Sequence, residues 1–373
     1  VTAATQIAAY NAAGVVDVTA ENLLAVNAQV RAASATTTVA ELQSTVTAAD
    51  TAIAKITHHS DQPGTLSVAD FVAVGVTGVD DTAGSDNLAA VNAQLLLQTD
   101  STVKDAVSEI QAIVTAADAA LVYLTSTIEQ ESDTLSLSET DQLAAYAAAG
   151  ITGVSADNLL AVNAQLRLDT TADNKNSVSE IQSLVTAANS ALAYIDSDIA
   201  PLTTTDTVTA ATQIAAYNAA GVVDVTAENL LAVNAQVRKV SADNKDSVAD
   251  LQALVTSAND AIAYIDSTIA PLTTTNTIDA ATQIAAYNAA GVLDATEGNL
   301  LALNAQVRLV TEPTNKDSVA ELQALVTAAN DAIAYIVSDI APLTTTDTVT
   351  AATQIAAYNA AGVVDVTAEN LLA

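Results

Sequence analysis

Cysteine, methionine and tryptophan are missing from this chain altogether. Without a thiol there can be no disulfide, no thiolate metal site and no cysteine nucleophile. Basic residues are almost as scarce, ten Lys and Arg against 43 Asp and Glu, which leaves a formal charge of −33. Such a surface repels nucleic acid and anionic membrane, both of which need Lys and Arg contacts to release counterions. Aromatics make up 3% of the chain. No run of about 18 apolar residues stands out as a membrane span, and no basic-plus-apolar leader precedes the first residues. The chain opens at Val1 and is expected to be a mature fragment of something longer.

What is present is alanine-rich and repetitive. Half the residues are hydrophobic, which argues against disorder, and the weight of alanine predicts thin helical cores. Glycine recurs at Gly14, Gly75, Gly150, Gly221, Gly291 and Gly362, at spacings of 61, 75, 71, 70 and 71 residues. Residues 1–31 and 208–238 are identical, and 349–373 repeat 1–25 without a change. A fixed period overrides any domain count taken from length. The expected architecture is all-α: an elongated tandem array of about five three-helix bundles of ~70 residues each, plus a partial sixth. The expected boundaries are 1–62, 63–136 (divergent), 137–207, 208–277, 278–348 and the partial copy 349–373.

Each copy reads as two short helices and a long one. In the fourth copy, Thr209 is the expected N-cap, Ile214 and Tyr217 share a face, and Gly221 follows as the left-handed C′ residue. Ser138 with Asp141, then Leu143, Tyr146 and Gly150, do the same in the third copy. Thr226 is the expected N-cap of the second helix. Val225 and Leu230 form a staple there, Glu228 sits at the positive end, and Leu230, Val233 and Val237 form the stripe that ends at Arg238. Val18 with Leu23, and Val154 with Leu159, repeat the staple.

The third helix carries the strongest periodicity. Capping boxes are expected at Ser247/Asp250, Ser177/Glu180, Ser318/Glu321 and Thr38/Glu41. Behind the first runs a seam of threes and fours: Val248, Leu251, Val255, Ala258, Ile262, Ile265 and Ile269. It returns as Val319, Leu322, Val326, Ala329, Ile333, Ile336 and Ile340. About 20 residues make a helix of roughly 30 Å. Pro201, Pro271 and Pro342 then end the helix, and threonine-rich linkers follow (199–207, 269–277, 340–348), with Leu202, Leu272 and Leu343 expected to dock them. The second copy departs most, with a shorter first helix around Val68–Val74, the longer turn GVDDTAGSDN at 78–87, and THHSDQPGT at 57–65 before it.

AGVVDVTAENLLAVNAQV together with SVAELQALV resembles the GA-like three-helix modules repeated in giant bacterial surface proteins and adhesins. The resemblance implies a repeated extracellular spacer. The better-known modules bind serum albumin through helices two and three, whose exposed faces here carry mostly Ala, Asn, Gln, Ser and acid, so no binding residues are carried over.

Asn27, Asn92, Asn163, Asn234 and Asn304, with Gln29, Gln94, Gln165, Gln236 and Gln306, recur in the second helix, and Gln43, Gln111, Gln182, Gln252 and Gln323 in the third. Their amides are expected to satisfy backbone groups of loops or adjoining bundles, in preference to a ligand. Tyr10, Tyr146, Tyr217, Tyr287 and Tyr358 on the first helix, and Tyr123, Tyr194, Tyr264 and Tyr335 on the third, are expected to pack in cores or between copies, in preference to a recognition surface. Lys55 takes the third-helix place in the first copy. His58 and His59 with Asp61 make a poor metal set, and no D-x-D-x-D-G calcium loop occurs. Weak calcium binding at joints such as DNKDS (243–247) is the one cofactor the acidity admits. The threonine linkers could carry O-linked sugar. No catalytic, cofactor-binding or metal residues are assigned, and no enzyme is expected. Two functions stay open: an extracellular or cell-surface stalk or filament segment that contacts neighbouring repeats or itself, and an adhesin array that binds a host protein or glycan weakly at each copy.

Overall fold

The computed structural model describes all residues except 34–36, 60–64, 131–136, 172–174, 204, 206, 242–244, 246, 312–315, 317, 344–348 and 372–373. Among the described residues the chain is wholly helical, with sixteen α-helices and no strand. It packs as two compact units, Val1–Ala188 and Asn189–Ala373.

In the first unit, α1 (Ala3–Ala12), α2 (Leu23–Ala32) and α3 (Val39–Thr57) fall in the first sequence copy, and α4 (Val68–Ala73), α5 (Leu88–Leu97) and α6 (Val107–Ser126) in the second. Next come α7 (Glu139–Ala148), α8 (Leu159–Leu168) and α9 (Val178–Tyr194), which carries the boundary between the units. The second unit continues with α10 (Ala210–Ala219), α11 (Leu230–Lys239), α12 (Val248–Tyr264), α13 (Ala280–Ala289), α14 (Leu300–Leu309), α15 (Val319–Tyr335) and α16 (Ala351–Ala360). The closest pairings are α2 on α3, α5 on α6, α11 on α12 and α14 on α15.

The long helices bury the expected seam. Val248, Leu251, Val255, Ala258 and Ile262 of α12 are all buried, as are Ile265 and Ile269 beyond it. Each large aliphatic in that row contributes about 1.5–3 kcal/mol by leaving water. In α15 the row starts the same way, but Ile333 and Ile336 stay half-exposed. Helix starts also follow the sequence. Thr38 and Ser318 close full capping boxes with Glu41 and Glu321, and Thr209, Ser138 and Ser247 each accept the N–H of Thr212, Asp141 and Asp250 respectively.

Two expectations need correction. Thr226 is not the N-cap of the second helix: α11 begins at Leu230, after Asn229. The Asn229 amide explains the delay, since it accepts from the Thr226 N–H (2.8 Å) and donates to the Asp224 carbonyl (2.8 Å), closing a turn on a left-handed Asp224 (φ 61°). The third helix does not stay α to its proline either. Ile195–Ile199, Ile265–Ile269 and Ile336–Ile340 each form a π turn, and the Ala270 N–H reaches back five residues to Ile265 O at 2.8 Å.

One helix, α6, passes the length and apolarity test for a membrane span, with mean hydropathy 1.4. It packs on α5, buries Ile110, Val114, Ala117 and Leu121, and carries Glu109 and Asp118. No other described helix is long and apolar enough.

Candidate functional site

The recurring polar residues converge inside the helices. In the third copy Tyr146 donates to Asn163 Oδ1 (2.8 Å), Asn163 donates to Gln142 Oε1 (2.7 Å), and Gln142 donates to Leu137 O (3.2 Å). Tyr217–Asn234–Gln213–Val208 and Tyr287–Asn304–Gln283–Ile278 repeat the chain, and Tyr10–Asn27–Gln6 begins it. The amides of the third, fourth and fifth copies are buried, and burial pushes the Tyr146, Tyr217 and Tyr287 hydroxyls well above the usual phenol range. They therefore stay protonated and donate.

The second copy shows what the tyrosine supplies. Phe71 stands in its place, and Asn92 Oδ1 is the one buried side-chain polar atom among the described residues without a hydrogen-bond partner. Phe71→Tyr is expected to stabilise the first unit by about 1 kcal/mol, the net worth of one buried hydrogen bond. Thermal unfolding would check it; a lower midpoint would mean the hydroxyl has no room.

The remaining amides hold loops and neighbouring copies. Gln43, Gln111, Gln182, Gln252 and Gln323 each clamp both backbone groups of one loop residue: Val16, Thr77, Thr152, Val223 and Leu293. Gln29, Gln94, Gln236 and Gln306 donate across to the next copy, to the carbonyls of Ala73, Ala148, Ala289 and Ala360. Beside each sits the periodic glycine. A Cβ on Gly75, Gly291 or Gly362 would fall 2.9, 2.7 or 2.4 Å from the carbonyl oxygen of Leu24, Leu231 or Leu301 in the preceding copy. A third link runs back to the preceding copy, from the Val107, Val178 and Val319 amides to the Glu21, Asp86 and Glu228 carbonyls (3.3, 3.0 and 3.1 Å).

The scarce cations cap helix ends and, in most copies, reach across to the preceding one. Lys175 donates to Leu166 O (3.0 Å) and Asp169 O (2.8 Å) at the end of α8, and pairs with Glu129 at 2.7 Å. Lys104 caps α5 through Leu95 O and Gln98 O, Lys245 binds Val237 O and Asp196, and Lys316 pairs with Asp266. Arg238 bridges Ala200 O (2.6 Å) and Leu202 O (2.9 Å) around Pro201, and Arg308 does the same at Ala270 and Leu272 (2.7 Å each). At these places Glu129, Asp196 and Asp266 each face a lysine ammonium. Of DNKDS, Asp243, Asn244 and Asp246 lie outside the described residues, as does Asp61. Buried His59 is held below its ordinary pKa by desolvation and by the Lys104 ammonium, which disfavours a second cation there. His58 sits at the end of α3. No group of three or more His, Asp or Glu among the described residues is placed to hold a metal.

The two tyrosine sets separate. Tyr146, Tyr217 and Tyr287 are core residues, with Tyr10 and Tyr358 partly covered. Tyr123, Tyr194, Tyr264 and Tyr335 are 38–39% exposed and do not join the core. Tyr264 lines a shallow cleft with Lys239, Asp260 and Ala286. Lys55, in the same place in the first copy, pairs with Asp70 at 2.5 Å.

Compared with protein-family models, with curated proteins and with solved structures, the chain finds no match.

Proposed function

We propose that the chain is a structural segment of an extracellular stalk, spacer or filament, a linear array of about five three-helix modules and part of a sixth. The observation that carries this reading is the joint. Within each unit, glycine on backbone and glutamine on carbonyl recur between successive copies, joined at three places by a valine amide on a carbonyl. Contacts to backbone at fixed positions resist bending, as a spacer requires. The recurrent polar residues, which could have marked a ligand site, are consumed in holding loops and joints. The resemblance to GA-like surface modules and the acidic surface support a cell-surface setting.

The competing reading is a multivalent adhesin. It is favoured by one observation: an exposed tyrosine at the same helical position in four copies. Such an array would gain avidity by repetition from weak single contacts.

Small-angle X-ray scattering of the dilute chain, with and without calcium, separates them. A stiff particle whose length grows in proportion to the number of copies, unchanged by calcium, is the expected result. A flexible string of modules would sink the spacer reading and move attention to the tyrosine face.

A further inference from the structure

We propose that the fourth copy carries a binding site for a neutral saccharide, in the shallow cleft that Tyr264 of α12 shares with the end of α11 and with α13. The site asks nothing of the array's stiffness, so it stands apart from the spacer reading. It also differs from the multivalent reading, because the fourth copy alone assembles all of its groups.

The first observation is chemical. Among the described residues of the second unit, Lys239 is the one base without a hydrogen bond or ion pair: Arg238 and Arg308 hold linker carbonyls, and Lys245 and Lys316 meet Asp196 and Asp266. Asp260 and the Tyr264 hydroxyl are equally uncommitted. All three residues are exposed, and all three line one cleft of about 520 Å³. An ammonium that donates, a carboxylate that accepts and a phenol that does either complement a ligand bearing several hydroxyls. One cation and one anion cancel, so the cleft selects no net charge on that ligand.

The second observation is shape. Between these groups the floor is alanine, from Ala261, Ala286 and Ala289. It offers a flat surface beside the Tyr264 ring and no deep hole. A protein partner anchors by sinking an aromatic or arginine side chain into such a hole, and nucleic acid is repelled by the charge of −33. A pyranose has the matching build, with a flat face of C–H groups for the electron-rich face of the aromatic ring and a rim of hydroxyls for Lys239 and Asp260.

The third observation is the contrast between copies. The tyrosine returns as Tyr123, Tyr194 and Tyr335, but Leu97, Leu168 and Leu309, each 54–59% exposed, stand where Lys239 does. Leucine gives a hydroxyl no partner. One chain therefore holds one site.

The test is NMR of the full chain with isotope-labelled tyrosine rings, titrated with cellobiose, maltose, lactose and N,N′-diacetylchitobiose. One of the nine tyrosine signals should move with at least one of these sugars, with a Kd on the order of 1 mM, and Tyr264→Ala should remove that signal. Lys239→Leu installs the residue of the other copies and should weaken binding at least about tenfold. Leu309→Lys gives the fifth copy the same trio, with Asp331 and Tyr335, and should make a second signal move. Circular dichroism checks that each variant keeps its helix content. No movement with any of the four sugars at about 20 mM would overturn the site. So would four tyrosine signals moving together, binding that survives Lys239→Leu, or glucuronic acid binding more tightly than every neutral sugar. A chain that scatters as a stiff particle yet binds none of them would leave the spacer reading standing and sink this one.

Discussion

Replacing Gly291 with alanine is expected to destabilise the Asn189–Ala373 unit by about 3 kcal/mol, well beyond the effect of the same change at Gly14. The two glycines share an identical sequence neighbourhood, AAYNAAGV, and nearly the same backbone, φ +77° and +84°. Both substitutions therefore incur the left-handed penalty of about 1–2 kcal/mol. Only at Gly291 is there an obstacle. The new Cβ would lie 2.7 Å from Leu231 O, 3.0 Å from its carbonyl carbon and 3.1 Å from Ala232 Cα. Those are backbone atoms at the start of α11 and cannot turn aside. The end of α13 must lift, which breaks the Gln236 bond to Ala289 O and uncovers Ala290 and Val292, both fully buried. Denaturant unfolding gives the size, and hydrogen exchange over 280–309 locates it. Equal losses at Gly14 and Gly291 would show that conformational strain alone sets the cost and that the joint adds nothing.

That contrast also marks what the sequence could disclose. The seam of α12 is legible because a step of three and four is a property of one helix, and every residue in the row is buried. Thr38, Ser138, Thr209 and Ser318 are legible as caps because a cap is local. Gly291 is half-legible: a glycine after a helix announces a left-handed turn, but its closeness to Leu231 depends on a partner about sixty residues away. The start of α11 misleads because Thr226 has the residue type of a cap, while the turn is closed by Asn229 and a left-handed Asp224. The π turns escape notice because Ile265 and Ile269, four apart, fit an α seam equally well. The lysines are hidden for another reason. DNKDS looks like a solvated acidic loop, and loops are where lysine ordinarily meets water. A signal is nevertheless present. A chain with ten basic residues places one lysine three positions before the long helix in four copies, at Lys104, Lys175, Lys245 and Lys316.

Lys175→Met is expected to cost the Val1–Ala188 unit about 3 kcal/mol, the low end for breaking a buried ion pair by removing one partner. Methionine keeps the length and apolar stem of the side chain, so packing changes little. What disappears is the ammonium, which leaves the Glu129 carboxylate, 17% exposed, and the last carbonyls of α8 without their donor. Partial exposure of Glu129 lets some water in, which holds the loss near the low end. Lys55 supplies the control. Its pair with Asp70 is even shorter, 2.5 Å against 2.7 Å, yet the Lys55 side chain is 59% exposed and that of Lys175 only 8%. Water screens the first pair, so Lys55→Met should cost less than about 1 kcal/mol. Burial decides the outcome, and distance does not. Chemical unfolding of both variants at low and high salt would show it, with salt eroding the Lys55 effect and sparing most of the Lys175 effect. Equal losses would place Lys175 among ordinary surface charges. Glu129 belongs to the second copy and Lys175 to the third, so this pair ties two copies together, as Asp196 with Lys245 and Asp266 with Lys316 do further along. Three of the lysines before the long helices thus reach across to the preceding copy, and Lys175→Met should therefore loosen that joint before it unfolds either neighbour.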